Sequence, residues 1–183
     1  MAIPFQKFRE IVFQLLYGQD ISKADESHLI SLLARELAVP KSVVKQAQEK
    51  VVAIFSHLDE LDDLIGKAST SYAFERIHSV ERNILRLGAY ELLHDQTIPP
   101  KVAIAEAIRL TRKFASPEAA TFINAVMDNI YKASLGQEIT DDDVKEALVK
   151  LSKIEEEVQA KGTLVPTNDE KENDDETPSI STE

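Results

Sequence analysis

The sequence predicts an all-α protein: a compact bundle of about six to seven helices, then a helical extension and an acidic tail. Three observations carry this. Apolar residues recur at three- and four-residue steps through most of the first 135 positions. No segment shows the two-residue alternation of a half-buried strand. Prolines and small polar residues fall where those periodic stretches begin or end, as helix termini require.

In chain order, Pro4 suits an early helical position, and Phe5, Phe8, Val12, Leu15 and Leu16 follow at helical spacing to Gly18, read as a left-handed stop. Leu29, Leu33 and Leu37 predict a short second helix, ended by Val39-Pro40 because proline disfavours a helical residue before it. Val44, Ala47, Val51, Phe55, Leu58, Leu61 and Ile65 keep one face, which predicts a single long third helix stopping near Gly66. Residues 67–78 break the pattern and place Tyr72 and Phe74 in a joint. Ser79 is read as the cap of the next helix, whose residues Val80, Ile84, Leu85, Leu87, Ala89, Leu92 and Leu93 are apolar around most of the circumference. Such a helix needs neighbours on several sides.

Pro99-Pro100 opens another helix through Ala103, Ala107, Leu110 and Phe114, since the first turn has no use for the missing N–H groups. Ser116-Pro117-Glu118 gives cap, proline and acid in the order a helix start prefers, and Phe122, Val126, Met127 and Ile130 continue it to Gly136. From Thr140, Val144, Ala147, Leu151, Ile154 and Val158 suggest one more amphipathic helix, which either folds back on the bundle or meets a partner. Residues 162–183 are acidic and poor in apolar side chains, the composition of a disordered tail. The expected divisions are 1–138, 139–161 and 162–183.

Composition narrows the chemistry. No apolar run approaches the roughly 18 residues of a membrane span, and MAIPFQKFRE does not read as a secretion signal, so a soluble cytoplasmic protein is expected. The absence of cysteine removes disulfides, thiolate metal sites and thiol nucleophiles. A net charge of −11 argues against nucleic acid until its distribution is read. Residues 162–183 hold one lysine against seven acids, whereas residues 76–132 hold eight lysines and arginines against six acids. The acidity sits at the end and the centre is mildly positive.

Two E-x-x-H strings, Glu75 to His78 and Glu91 to His94, have the spacing used by two-metal helical bundles. On one continuous helix they would stand roughly 24 Å apart, so no metal or other cofactor is expected and Glu91 and His94 are read as interface or surface residues. His28 and His57 are read as surface side chains, and Asp59, Glu60, Asp62 and Asp63 read as a solvated face. No glycine-rich phosphate loop or nucleophile elbow occurs, so no catalysis is expected. Arg76, Arg82, Arg86, Arg109, Arg112 and Lys113, with aromatics nearby, would suit single-stranded RNA as well as ordinary solubility.

VERNILRLGAYELL, PPKVAIAEAIRLTRKF and FINAVMDNI, three blocks in order, resemble the bacterial transcription antitermination factor NusB, over roughly residues 5–135. The resemblance implies a helical, non-enzymatic domain that binds boxA RNA of ribosomal-RNA leader transcripts together with NusE, a small-subunit ribosomal protein, within an antitermination complex on RNA polymerase. It implies RNA contacts at Lys7, Arg9, Tyr72, Arg76, Glu118 and Phe122, and partner contacts at Glu81, Arg82, Arg86, Tyr90, Glu91 and Lys101. Phe122 is as suited to the core as to RNA. The family's arginine-rich amino-terminal segment is reduced here to IPFQKFR, Tyr72 stands where many relatives have tryptophan, and Ala105 and Ala125 replace an asparagine and a glycine. The depleted segment implies stronger reliance on NusE, testable by restoring arginines at Phe5 and Phe8. A helical adaptor with weakened RNA binding is the alternative, and a homodimer is left open.

Overall fold

The computed structural model describes residues 3–22, 26–70 and 72–137. Among them are seven α-helices and no strand: α1 (Phe5–Ser22), α2 (Glu26–Glu36), α3 (Lys41–Ser56), α4 (Leu58–Ala68), α5 (Ser79–Leu93), α6 (Pro100–Phe114) and α7 (Pro117–Ser134), with a short 3-10 turn at Phe74–Arg76. The expected helical extension and acidic tail lie outside the described residues.

α5 is the centre of the bundle, packing against α1, α3, α4, α6 and α7. Its all-round apolar pattern has this cause: Ile84, Leu85, Leu87 and Ala89 are all buried, on different sides of the helix. Gly88 lets two neighbours close in. A Cβ there would stand 2.9 Å from Met127 Cε of α7 and 3.3 Å from Ala107 Cβ of α6. The core continues through Ile11, Val12, Leu15 and Leu16 of α1, Val44, Val51 and Ile54 of α3, and Ile123 and Ile130 of α7.

Three expected boundaries are corrected. Gly18 does not stop α1, which runs to Ser22; Leu29 of α2 packs 3.5 Å from where a Gly18 side chain would begin. The expected long third helix is two, broken at His57. There the Ala53 carbonyl accepts from Ser56 Oγ at 2.7 Å and His57 Nδ1 at 2.9 Å, while the His57 amide donates to Ile54 instead, at 3.1 Å. Side chains have taken the acceptor that the next turn of α-helix needs, and the chain turns. The cap of α5 is His78, with extended backbone, so Ser79 is the first helical residue and its carbonyl accepts from Asn83.

Other termini follow the sequence. Ser116 caps α7, its hydroxyl accepting from the Ala119 amide at 3.4 Å, and α7 closes with Gly136 at φ 73° as Gln137 N–H returns to Lys132. α2 ends with the same hydrogen-bond pattern but with Ala38 at φ 51°, a left-handed position that ordinarily takes glycine. Asn129 of α7 donates to the Ala68 carbonyl at 2.9 Å, satisfying the end of α4 from across the core.

Candidate nucleic-acid interface

Two buried ionic networks hold the bundle and claim several residues expected at the surface. In the first, Arg9 Nε of α1 donates to both Glu91 oxygens of α5, at 3.1 and 2.9 Å, and Lys50 of α3 reaches Glu91 at 2.7 Å and Asp95 at 3.2 Å. Beside it, Arg109 and Lys113 of α6 each hold Glu10 at 2.7 Å, and Arg109 also binds Glu106. Burial would raise the Glu10 carboxyl, but hydrogen bonds from Lys113 and Arg109 outweigh it and keep it below its ordinary range. Asp95 is lowered in the same way, Thr97 and Lys50 overcoming burial.

The second network joins α1, α4 and α5. Arg86 donates bidentately to Asp62 at 2.7 Å twice, reaches Asp20 at 3.2 Å, and also donates to Asn83 Oδ1. Asn83 in turn donates to Asp20 at 2.9 Å. Burial opposes the charge on Arg86, yet Asp62 and Asp20 more than offset it, so the guanidinium pKa is raised.

Arg9, Arg86 and Glu91 are therefore corrected from surface to interior: they are 7%, 4% and 1% exposed. Each is saturated by partners on other helices, and a buried charge without such partners would be prohibitively costly. Arg82 is also tethered, toward Asp20 at 3.5 Å and over the Phe74 ring at 5.7 Å. Asp62, expected on a solvated face, is an anchor for Arg86.

The remaining residues divide between two ends of α5. At its start, Tyr72 of the joint and Phe122 of α7 bring their rings to 5.8 Å between centroids, and the Arg76 guanidinium lies 5.5 Å from the Tyr72 centroid. These rings border a groove of about 380 Å³ that His78, Glu81, Ser116 and Glu118 also line. The Glu118 carboxyl accepts from its own amide and the Ser116 hydroxyl, which hold it below the usual carboxylate range. Tyr72 and Arg76 are exposed, and Phe122 is half-buried with one side on the core.

Tyr90 lies near the other end of α5, roughly 14 Å along the axis from Glu81. It packs beside His57 and His94. Lys101 is exposed at the start of α6. Lys7 is half-exposed on α1, where Phe5 is 83% exposed and Phe8 packs on the core, so Phe5 alone can accept an arginine without loss of packing. A groove of about 490 Å³ adjoins Phe5 and Phe8, with Ile98, Pro99 and Val102 on its far wall.

Sequence reasoning missed the meeting of His57 with His94, whose rings lie 4.3 Å apart, and the anchors Asp20, Asn83 and Glu10. The histidine pair has no signal at helical spacing, because its members come from different helix ends.

The NusB family model matches residues 6–132. The transcription antitermination protein NusB of Chlamydia pneumoniae is 38% identical over 131 residues, covering 72% of this chain and 82% of the relative. Among solved structures, T. maritima NusB superimposes with a TM-score of 0.62 at 29% identity, over 72% of this chain and 93% of that one. A complex of the antitermination factors NusB and NusE with double-stranded RNA contains a chain matching at TM-score 0.61 and 29% identity, over 70% of this chain and 96% of its own. By sequence and by fold, the chain belongs to the NusB family.

Proposed function

We propose that this protein is a cytoplasmic transcription antitermination factor that binds boxA RNA of ribosomal-RNA leader transcripts jointly with NusE, within the antitermination complex on RNA polymerase. Its work is binding, and the groove between Tyr72 and Phe122 is the RNA-facing site. The observation that carries this is the Tyr72, Phe122 and Arg76 cluster: two aromatic faces and a guanidinium, half open to solvent, beside a groove.

Unpaired bases stack on such rings, and an exposed arginine can pair with the adjoining phosphate. Glu118, held ionised, repels phosphate and suits an exocyclic amino group of a base. Lys7 adds a phosphate contact from α1. Arg9 serves RNA only through the shape of α1, because its charge is spent on Glu91. With few free cations at the amino terminus, counterion release supplies less affinity than in arginine-rich relatives, and NusE must contribute more. Glu81, Tyr90 and Lys101 are the polar groups left for protein contacts.

A gel-shift titration of boxA RNA against a scrambled RNA of equal length, with NusE present, tests this reading. Preference for boxA supports it. Equal binding of both RNAs, or of neither, favours an adaptor that has lost RNA recognition.

A further inference from the structure

At the corner where α3 turns into α4, the turn brings His57 against His94, the residue that ends α5. One ring nitrogen from each histidine and a carboxylate oxygen of Glu60 lie within 4.8 Å of one another. His94 Nε2 is shut off from solvent and has no hydrogen-bond partner; its nearest acid, Glu60 Oε2, is 3.7 Å away, too far to accept a hydrogen bond. A buried imidazole nitrogen left without a partner pays for desolvation with nothing in return.

The surroundings suit a metal cation. His57 Nδ1 lies 2.9 Å from the Ala53 carbonyl and 3.0 Å from Ser56 Oγ; in the tautomer that donates to the carbonyl, Nε2 carries the lone pair. That back-side hydrogen bond to a carbonyl is the usual support of a metal-binding histidine. The third donor, Glu60, is three residues on from His57, in the first turn of α4. Its side chain is 60% exposed and free to swing in.

We propose that His57, Glu60 and His94 form a binding site for one divalent cation of the zinc class. Two imidazoles and a carboxylate match zinc, cobalt or nickel and are poor ligands for magnesium or calcium, which prefer oxygen alone. Tetrahedral ligands on zinc stand about 3.3 Å apart, so a small closure led by Glu60 completes the set, with water in the fourth position. The cation would clamp the start of α4 to the end of α5, at the opposite end of α5 from the Tyr72 groove. The site is thus independent of the RNA reading, and either can fail alone.

The test uses the full chain without a histidine tag, stripped with chelator and titrated with zinc chloride by calorimetry and with cobalt chloride by visible absorption. The expected result is one equivalent per chain, a higher Tm with zinc, and at least about a tenfold loss of affinity in Glu60→Gln and in His94→Gln. His28→Gln, on the exposed face of α2 and outside the cluster, should bind as the parent does. Glu60→Gln changes an exposed side chain and decides the matter even where His94→Gln folds poorly. Absence of stoichiometric uptake, or uptake that Glu60→Gln leaves unchanged, overturns the proposal.

Discussion

Arg86 of α5 meets Asp62 of α4 through two parallel hydrogen bonds of 2.7 Å, from Nε to Oδ1 and from Nη2 to Oδ2. This fork is the strongest geometry available to an ion pair, and Asp20 of α1 closes it from the other side. Three helices therefore depend on one guanidinium. Arg86→Ala leaves both carboxylates facing each other and should cost about 3 kcal/mol, the low end for a buried pair because Asp62 keeps some water. Equilibrium unfolding in urea measures it; a loss below about 1 kcal/mol would reduce the network to a surface feature.

The same network makes stability depend on pH in a defined direction. Burial would raise the Asp20 carboxyl, but the Asn83 hydrogen bond and the charges of Arg86 and Arg82 outweigh it and place the pKa below its ordinary 3.8. Glu10 is held below 4.5 and Asp95 below 3.8. A pKa lower in the folded than in the unfolded chain stabilises fully above the unfolded value and is lost as pH falls through the folded one. Stability should thus decline from about pH 4.5 downward, continuing below 3.8. Asp20→Asn should be less stable at neutral pH and show a shallower acid decline; an unchanged slope in thermal melts at a series of pH values contradicts the assignment.

Ala38 ends α2 with φ 51°, where Gly136 ends α7 with φ 73° and no side-chain penalty. Ala38→Gly should therefore stabilise the protein, by about 0.5–1 kcal/mol, against the usual cost of glycine in a chain. A higher urea midpoint is the expected readout, and a lower one would show that the turn carries no strain.

Helix positions were legible in the sequence because burial at three- and four-residue steps is a local signal, and α5, α6 and α7 begin within a residue of where their prolines and polar caps point. The break at His57 was not, since it depends on Ser56 and His57 side chains capturing one carbonyl while the apolar face runs on across the bend. The burial of Arg9 and Arg86 was hidden for a different reason. Their acids lie 82 and 24 residues away, and charged residues amid a helical pattern are read as surface until their partners are known. Of the expected RNA residues, Tyr72, Arg76, Glu118 and Phe122 come together, whereas Arg9 is internal and Lys7 stands apart on α1.

Tyr72 is the cleanest probe of that groove because it is exposed and little of the core rests on it. Tyr72→Ala should weaken RNA binding by about 1–3 kcal/mol, the usual worth of one stacked base, with thermal stability unchanged. Tyr72→Trp should retain or improve affinity. Filter binding with the single-stranded RNA reads both, and full affinity in the alanine variant would move the RNA to another face.

The central claim is that RNA affinity arises from a surface shared with NusE, and one titration tests it directly: boxA RNA against the full-length chain, alone and with NusE at saturating concentration. The account predicts weak binding alone and at least about a tenfold gain with NusE, equivalent to roughly 1.4 kcal/mol of coupling. Equal affinity in the two titrations would contradict it.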